Sequence, residues 1–173
     1  MTLQEFFKEN PKTALAFSGG VDSSYLLYAA REYGAQVRAY YVKTAFQPEF
    51  EYQDALRLAK QLGAEVEVLE LNALSDPKVV ENPANRCYYC KQNIFGNIWR
   101  AARADGYTVL LDGTNASDQV ADRPGMQALR ELEVRSPLRE AGLTKAQIRE
   151  LSYAAGLFTW DKPSYACLAT RIP

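Results

Sequence analysis

A chain of 173 residues, 47% hydrophobic and 24% charged, is long enough to bury one core, and both shares are ordinary for a globular domain. Twenty Lys and Arg against 21 Asp and Glu leave a formal charge of −1, so no global basic field speaks for nucleic acid or an anionic membrane surface. The absence of histidine removes His-based triads, His-containing zinc sites and imidazole bases, and leaves acid–base and nucleophilic work to Asp, Glu, Lys, Tyr, Ser or Cys.

The opening stretch MTLQEFFKENPKTALAFSGG has no basic segment followed by an apolar one, so no signal peptide is expected. No apolar run approaches the roughly 20 residues that span a bilayer. A cytoplasmic setting is therefore expected, where structural disulfides are rare.

Residues 3–9 predict a short amphipathic helix stopped by Asn10-Pro11. The apolar run TALAF, 13–17, ends at Ser18-Gly19-Gly20 and predicts a buried parallel strand. VDSSYLLYAAREYG then predicts a helix with Leu26, Leu27 and Ala30 on one face and Gly34 as its stop. Residues 35–43 predict a second strand. Pro48 opens a helix through Leu62 that Gly63 ends, and the alternating stretch 64–71 predicts a third strand. This β-α-β-α-β order predicts an α/β fold with a doubly wound, mostly parallel sheet.

Residues 72–86, with Asn, Ser, Asp and two prolines, read as a loop. A helix over 88–104 leads to a fourth strand at 107–113, followed by the polar, loop-like TNASDQVADRPG. Residues 126–133 predict a short helix, and EVRSPL, 133–138, a short fifth strand. Thr144 is placed as N-cap of a helix carrying Ile148, Leu151 and Ala155 at helical spacing before Gly156. No repeat or low-complexity linker divides the chain. One domain is expected over 1–173, with 157–173 an aperiodic, cysteine-bearing tail. The chain stops at Pro173 without a closing element, consistent with a part of a longer protein.

The most informative stretch is LAFSGGVDSSYLL. A buried strand runs through Ser-Gly-Gly into a helix whose start offers unpaired backbone N–H groups and the positive end of its dipole to an anion. Gly19 and Gly20 let the backbone approach an oxyanion where a Cβ would intrude, and Ser18, Ser23 and Ser24 add hydroxyl donors. No lysine follows the glycines, so this is not GxxxxGK[ST], and the adjacent glycines do not have the spacing of GxGxxG. An ordinary capped Gly-Gly turn is the alternative.

SGGVDSS resembles the SGGxDS signature of the ATP pyrophosphatase, or PP-loop, superfamily, with Ser18, Gly19, Gly20, Asp22, Ser23 and Ser24 on the motif one for one. The resemblance implies a five-stranded parallel sheet and cleavage of ATP between its α and β phosphates. It also implies a pyrophosphate held in this loop, with Asp22 helping to place its Mg²⁺; the alternative is that Asp22 only caps the helix. LLDGTNASD, RSPLREAGLTKAQIRELSYAAGL and WDKPSYACLATRIP resemble the GTNxxD, SPL…TKxxIR and KPxxxCLxxRIP segments of the LarE family. That likeness touches most of the chain and places Gly113 and Asp118 at the nucleotide site. It implies ATP-dependent sulfur insertion into a pyridinium-3,5-biscarboxylic acid mononucleotide, a small-molecule substrate, in a protein that forms a homo-oligomer. No counterpart of the family's helical C-terminal region follows Pro173, so substrate-binding residues there lie beyond the sequence.

Cys87 and Cys90 form a CxxC pair and Cys167 stands alone. A structural zinc site needs a fourth ligand that no histidine or further cysteine supplies. A redox pair leaves Cys167 unused. Three buried cysteines acting as small hydrophobes fit poorly beside Arg86, Lys91 and tyrosines. A 4Fe–4S cluster on three thiolates would leave one iron open to carry an exogenous sulfide. In the LarE family Cys167 matches the cysteine that sacrificial members consume, and the added Cys87 and Cys90 resemble the three-cysteine, cluster-dependent branch. That branch needs a separate sulfide or sulfur donor. Sacrifice of Cys167, another PP-loop chemistry such as tRNA thiolation or an amidotransferase-type synthesis, and a non-catalytic nucleotide- or zinc-binding domain remain the rivals.

Lys91, Lys162 and Arg171 lie beside the cysteines in sequence and are candidates to stabilise charge on phosphate or carbonyl oxygens, though such a residue is more often a solvated surface charge. Asp112 and Asp118 flank GTNAS at the carboxyl end of a strand, where open α/β sheets bind ligands. Asp118 could hold Mg²⁺ or shape a turn. Trp160 could stack on a pyridinium ring, though an aromatic there is more often a core or interface residue.

Overall fold

In the computed structural model, which describes residues 1–44, 48–71, 86–117 and 123–163, the run Lys12–Ala16 (β1) is an inner strand of a parallel sheet. It pairs on one side with β2 (Gln36–Lys43) and on the other with β4 (Leu110–Leu111), while β3 (Glu65–Glu70) lies outside β2. The order β3-β2-β1-β4 makes the winding reverse between β1 and β4. In such sheets the carboxyl ends at the reversal form the ligand crevice. Thr13, Ala14 and Leu15 are fully buried, as a strand covered on both faces requires. β3 carries Glu65, Glu67 and Glu70 and no fully buried residue, a charged edge that discourages pairing with another chain.

Successive strand residues point to opposite faces, and this divides the core in two. Leu15, Ala39, Tyr41 and Leu111 face one cluster, which holds Phe6 and Phe7 of α1 (Leu3–Glu9), Leu26 and Leu27 of α2 (Val21–Glu32), Leu58 of α3 (Glu49–Leu62) and Ile148 of α7 (Lys145–Ala154). Ala14, Tyr40, Val42 and Leu110 face the other, with Ile98 and Trp99 of α4 (Arg86–Ala104) and Leu129 of α5 (Arg123–Glu131). The doubly wound α/β expectation is met. Among the described residues no helix is long and apolar enough to cross a membrane.

The sheet has four strands among the described residues, not five. Residues 133–138 make one parallel bridge, Arg135 to Leu111, in which Arg135 N–H donates to Leu110 and Asp112 N–H donates to Arg135. Pro137 has no N–H with which to extend a ladder, and it opens the short helix α6 (Pro137–Glu140) instead. The helices expected at 88–104 and 126–133 begin earlier, at Arg86 and Arg123. The loop expected over 72–86 lies outside the described residues apart from Arg86, which belongs to α4.

Helix α7 starts as its sequence requires. Thr144 Oγ1 accepts from Gln147 N–H at 3.3 Å while Gln147 Oε1 accepts from Thr144 N–H at 2.9 Å, a reciprocal cap that satisfies two otherwise unpaired donors. Thr144→Ala should lower stability by about 1 kcal/mol, read as a shift of the urea midpoint with unchanged slope.

Candidate active site

The chain leaves β1 after Phe17, whose N–H makes the last bond to β2, at Tyr40 O. Gly19 then adopts a left-handed φ of 77°. A Cβ there would stand 2.7 Å from Ala55 Cβ and 3.0 Å from Ala55 Cα of α3, closer than atoms tolerate. Conformation and space therefore both demand glycine. Gly20 is the N-cap of α2 and offers no side chain to cap it, so the first-turn N–H groups depend on solvent or a ligand.

The serines around this turn divide their tasks. Ser23 Oγ accepts from Ser18 N–H at 3.1 Å and lies 3.0 Å from Ser18 Oγ, which in turn accepts from Gly20 N–H at 3.3 Å. Ser18 is exposed, Ser23 is buried within the turn, and Ser24 Oγ is fully buried with no hydrogen-bond partner among the described residues. Ser23 thus holds the loop's shape, and Ser18 is the hydroxyl that reaches solvent.

Asp22, in the first turn of α2, accepts from Lys145 Nζ at 2.6 Å through Oδ2, while its Oδ1 is buried and unpartnered among the described residues. Lys145 reaches it from 123 residues away because the loop after β4 is stitched to the start of α7. Ala116 N–H donates to Leu143 O at 2.8 Å and Lys145 N–H to Ser117 Oγ at 3.0 Å. Gly113 closes the crevice from the β4 side. A Cβ on it would lie 3.0 Å from Ser23 N and 3.2 Å from Asp22 Cβ, so this strand exit crosses the start of α2 at backbone contact.

Asp112 sits beneath this crossing. Ser136 Oγ donates to its Oδ1 and Thr114 Oγ1 to its Oδ2, each at 2.6 Å. Burial pushes its carboxyl above the ordinary range, opposed by these hydroxyls and by the charge of Lys91. Lys91, on α4, is thereby placed near the carboxyl end of β4. Asn115, fully buried, accepts from Ser117 N–H at 2.7 Å through Oδ1, the side-chain turn that Asn favours.

Lys162, just after the 3₁₀ turn Phe158–Asp161, is buried and bonded rather than free. Its Nζ donates to Gly19 O at 3.2 Å and stands 3.2 Å from Asp54 Oδ2. Trp160 is on the surface, edge-on to Tyr153 with ring centroids 5.1 Å apart. Cys87 and Cys90 lie in the first turns of α4. Their side chains, Asp118, Cys167 and Arg171 fall outside the described residues. The structure thus brings Ser18, Gly19, Gly20, Asp22, Ser23 and Gly113 to one crevice. Lys145, Asp54, Ala55 and Ser136 join the network and were not singled out from sequence; the TK of the TKAQIR segment was the one local signal pointing at Lys145.

This parallel α/β sheet, with a glycine turn leading from an inner strand into a helix start, is of the PP-loop class. It is similar in fold to NMN synthetase from Francisella tularensis, at a TM-score of 0.75 and 17% identity over 96% of this chain and 74% of that one. The chain belongs to the asparagine synthase family, whose model matches residues 8–154. It is 32% identical, over 99% of its length, to the pyridinium-3,5-bisthiocarboxylic acid mononucleotide synthase of Lactiplantibacillus plantarum, in agreement with the LarE resemblance. It is also 38% identical, over 99% of its length, to an uncharacterized protein of Synechocystis. The chain spans 63% and 64% of these two relatives.

The environment of Asp112 carries a pH signature. Its carboxyl titrates above the ordinary 3.8 when folded, so the native state keeps the proton after the unfolded chain has lost it. Stability therefore falls as pH rises from the unfolded value through the folded one. Relative to Asp112→Asn, the wild type should lose stability in urea titrations as pH rises above the ordinary carboxylate value. Parallel profiles would show that this carboxyl does not titrate there.

Proposed function

We propose that residues 1–173 form the ATP-cleaving, PP-loop part of a sulfur-inserting enzyme, with 157–173 as its cysteine-bearing tail. The substrate would be a carboxylate of pyridinium-3,5-biscarboxylic acid mononucleotide. The observation that carries this reading is the crevice itself: a side-chain-free turn at Gly19-Gly20, an uncapped helix start, and Asp22 with one buried oxygen lacking a partner among the described residues. The likeness to the bisthiocarboxylic acid mononucleotide synthase supplies the substrate class.

The donor set fits a magnesium-bound polyphosphate. The N–H groups at the start of α2 and the Ser18 hydroxyl suit phosphate oxygens, Asp22 suits a hard cation, and Lys145 stands beside it as a counter-charge. Gly113 and Asp118 would complete the nucleotide side. The substrate carboxylate attacks the α-phosphorus of ATP and the bond to the bridging oxygen breaks, releasing pyrophosphate and leaving an acyl adenylate. A sulfide then attacks the acyl carbon and AMP departs with the electron pair of the C–O bond, leaving a thiocarboxylate after loss of a proton. AMP is a far better leaving group than oxide, and a thiolate or sulfide needs no histidine base at neutral pH.

Cys87, Cys90 and Cys167 would hold a 4Fe–4S cluster, which when bound supplies a sulfide renewed by an external donor. This part rests on the resemblance of Cys87, Cys90 and Cys167 to the three-cysteine, cluster-dependent branch of the LarE family. The same reading places the protein in the cytoplasm as a homo-oligomer acting on a small molecule, without nucleic acid or membrane as partner.

Asp22→Asn should lower substrate-dependent conversion of ATP to AMP by about 100-fold; activity within a few-fold of wild type would remove Asp22 from the metal site. Anaerobically purified protein should contain iron and sulfide in cluster ratio, and Cys87→Ala should abolish multiple turnover. A colourless protein that loses one sulfur mass at Cys167 per turnover would establish sacrifice instead.

A further inference from the structure

Lys162 is a side chain of unusual placement: about nine-tenths buried, with both observed partners outside its own segment. A buried ammonium persists only when it is paired and hydrogen-bonded. Here Asp54 of α3 supplies the charge and the Gly19 carbonyl supplies the second acceptor. The segment around Lys162 is also seated along one stripe of α3. Gln61 Nε2 donates to Gly156 O at 3.1 Å, and the Arg57 guanidinium lies 4.0 Å from the Phe158 ring centroid. Asp54, Arg57 and Gln61 follow one another at helical spacing on one face. Lys162 is thus held where it can act on the glycine turn.

Its effect follows from peptide geometry. The C=O of Gly19 and the N–H of Gly20 belong to one planar trans unit and point in opposite directions. Fixing the oxygen toward Lys162 therefore aims the Gly20 N–H to the other side, where only the 3.3 Å contact with Ser18 Oγ occupies it. A peptide between two glycines meets little steric opposition to reversal, and reversal would replace a donor with a carbonyl oxygen facing the anion. Ala55 confines Gly19 sterically; it does not choose between the two peptide orientations.

We propose that Lys162 is a positioning residue that locks the Gly19–Gly20 peptide with its N–H toward the anion, and that it ties the segment leading to Cys167 to the phosphate-binding turn. The proposal rests on reading that turn as a pyrophosphate cradle. Cys167 follows five residues later, so the clasp keeps it within about 18 Å of chain from Lys162.

The test is calorimetric titration of the full-length protein with inorganic pyrophosphate in magnesium chloride. Lys162→Met should weaken binding at least about tenfold, the loss expected for one hydrogen bond to a charged group. Asp54→Asn removes the counter-charge of the buried ammonium and should weaken binding in the same direction, by a smaller factor because the carboxylate is partly exposed. Wild-type affinity in Lys162→Met overturns the lock while leaving the cradle standing. A wild type that binds no pyrophosphate overturns both. A measurement without mutation covers a variant that fails to fold: in ¹⁵N-glycine-labelled wild type, pyrophosphate should shift the Gly20 amide resonance, and an unresponsive Gly20 overturns the lock.

Discussion

The contact between Gly19 and Ala55 is the constraint on which the crevice depends. Within one residue the chain must leave a strand buried on both faces and deliver a helix start to the sheet's carboxyl edge. With α3 packed where Ala55 stands, no side chain fits at residue 19, and the left-handed turn is the route that remains. The position of α3 is in turn set by its burial of Ala55, Leu58 and Ala59 against the sheet face that carries Leu15 and Ala39. Core packing and the shape of the anion site are therefore one arrangement, and a change that loosens α3 would also loosen the turn.

Around that turn the polar groups fall into two sets. Ser23, Asp112, Asn115 and Ser117 are consumed in holding loops together, each bonded to backbone or side chains within the fold. The first-turn N–H groups and the buried Oδ1 of Asp22 are left over among the described residues, and Ser18 Oγ, though in contact with Ser23 and Gly20, is open to solvent. Buried polar atoms are seldom left unsatisfied without a reason, and on the proposed function a bound cation with its phosphate would account for this carboxylate oxygen beside an uncapped helix start. The Asp22–Lys145 pair keeps this carboxylate compensated when no ligand is present.

Two tertiary links make the site a product of the whole domain. Lys145 comes from the far end of the described chain to Asp22, and Lys162 reaches back to Gly19 across 143 residues. Both stand at element boundaries, the first residue of α7 and the residue after the 3₁₀ turn, where a side chain can leave its own helix and enter a neighbouring loop. Lys162 illustrates how position decides chemistry: a lysine near a cysteine in sequence reads as a charge stabiliser, whereas its burial on Asp54 and the Gly19 carbonyl ties it to the glycine turn.

By itself the sequence determined the alternation of strands and helices, the caps at Thr144 and Gly63, and the glycine turn with its serines, because these are signals between residues a few positions apart. It also made the SGGVDSS match and the family membership legible. It overcounted the sheet by one strand: Val134 and Arg135 look like strand in isolation, but Pro137 ends the pairing after one bridge. Only the tertiary structure decided that Gly113 must be bare because Ser23 crosses it, that Asp112 is buried under two hydroxyls, and that Lys145 and Lys162 belong to the crevice. These are contacts between segments that meet only after the sheet has wound both ways around β1, and no local periodicity encodes such a meeting.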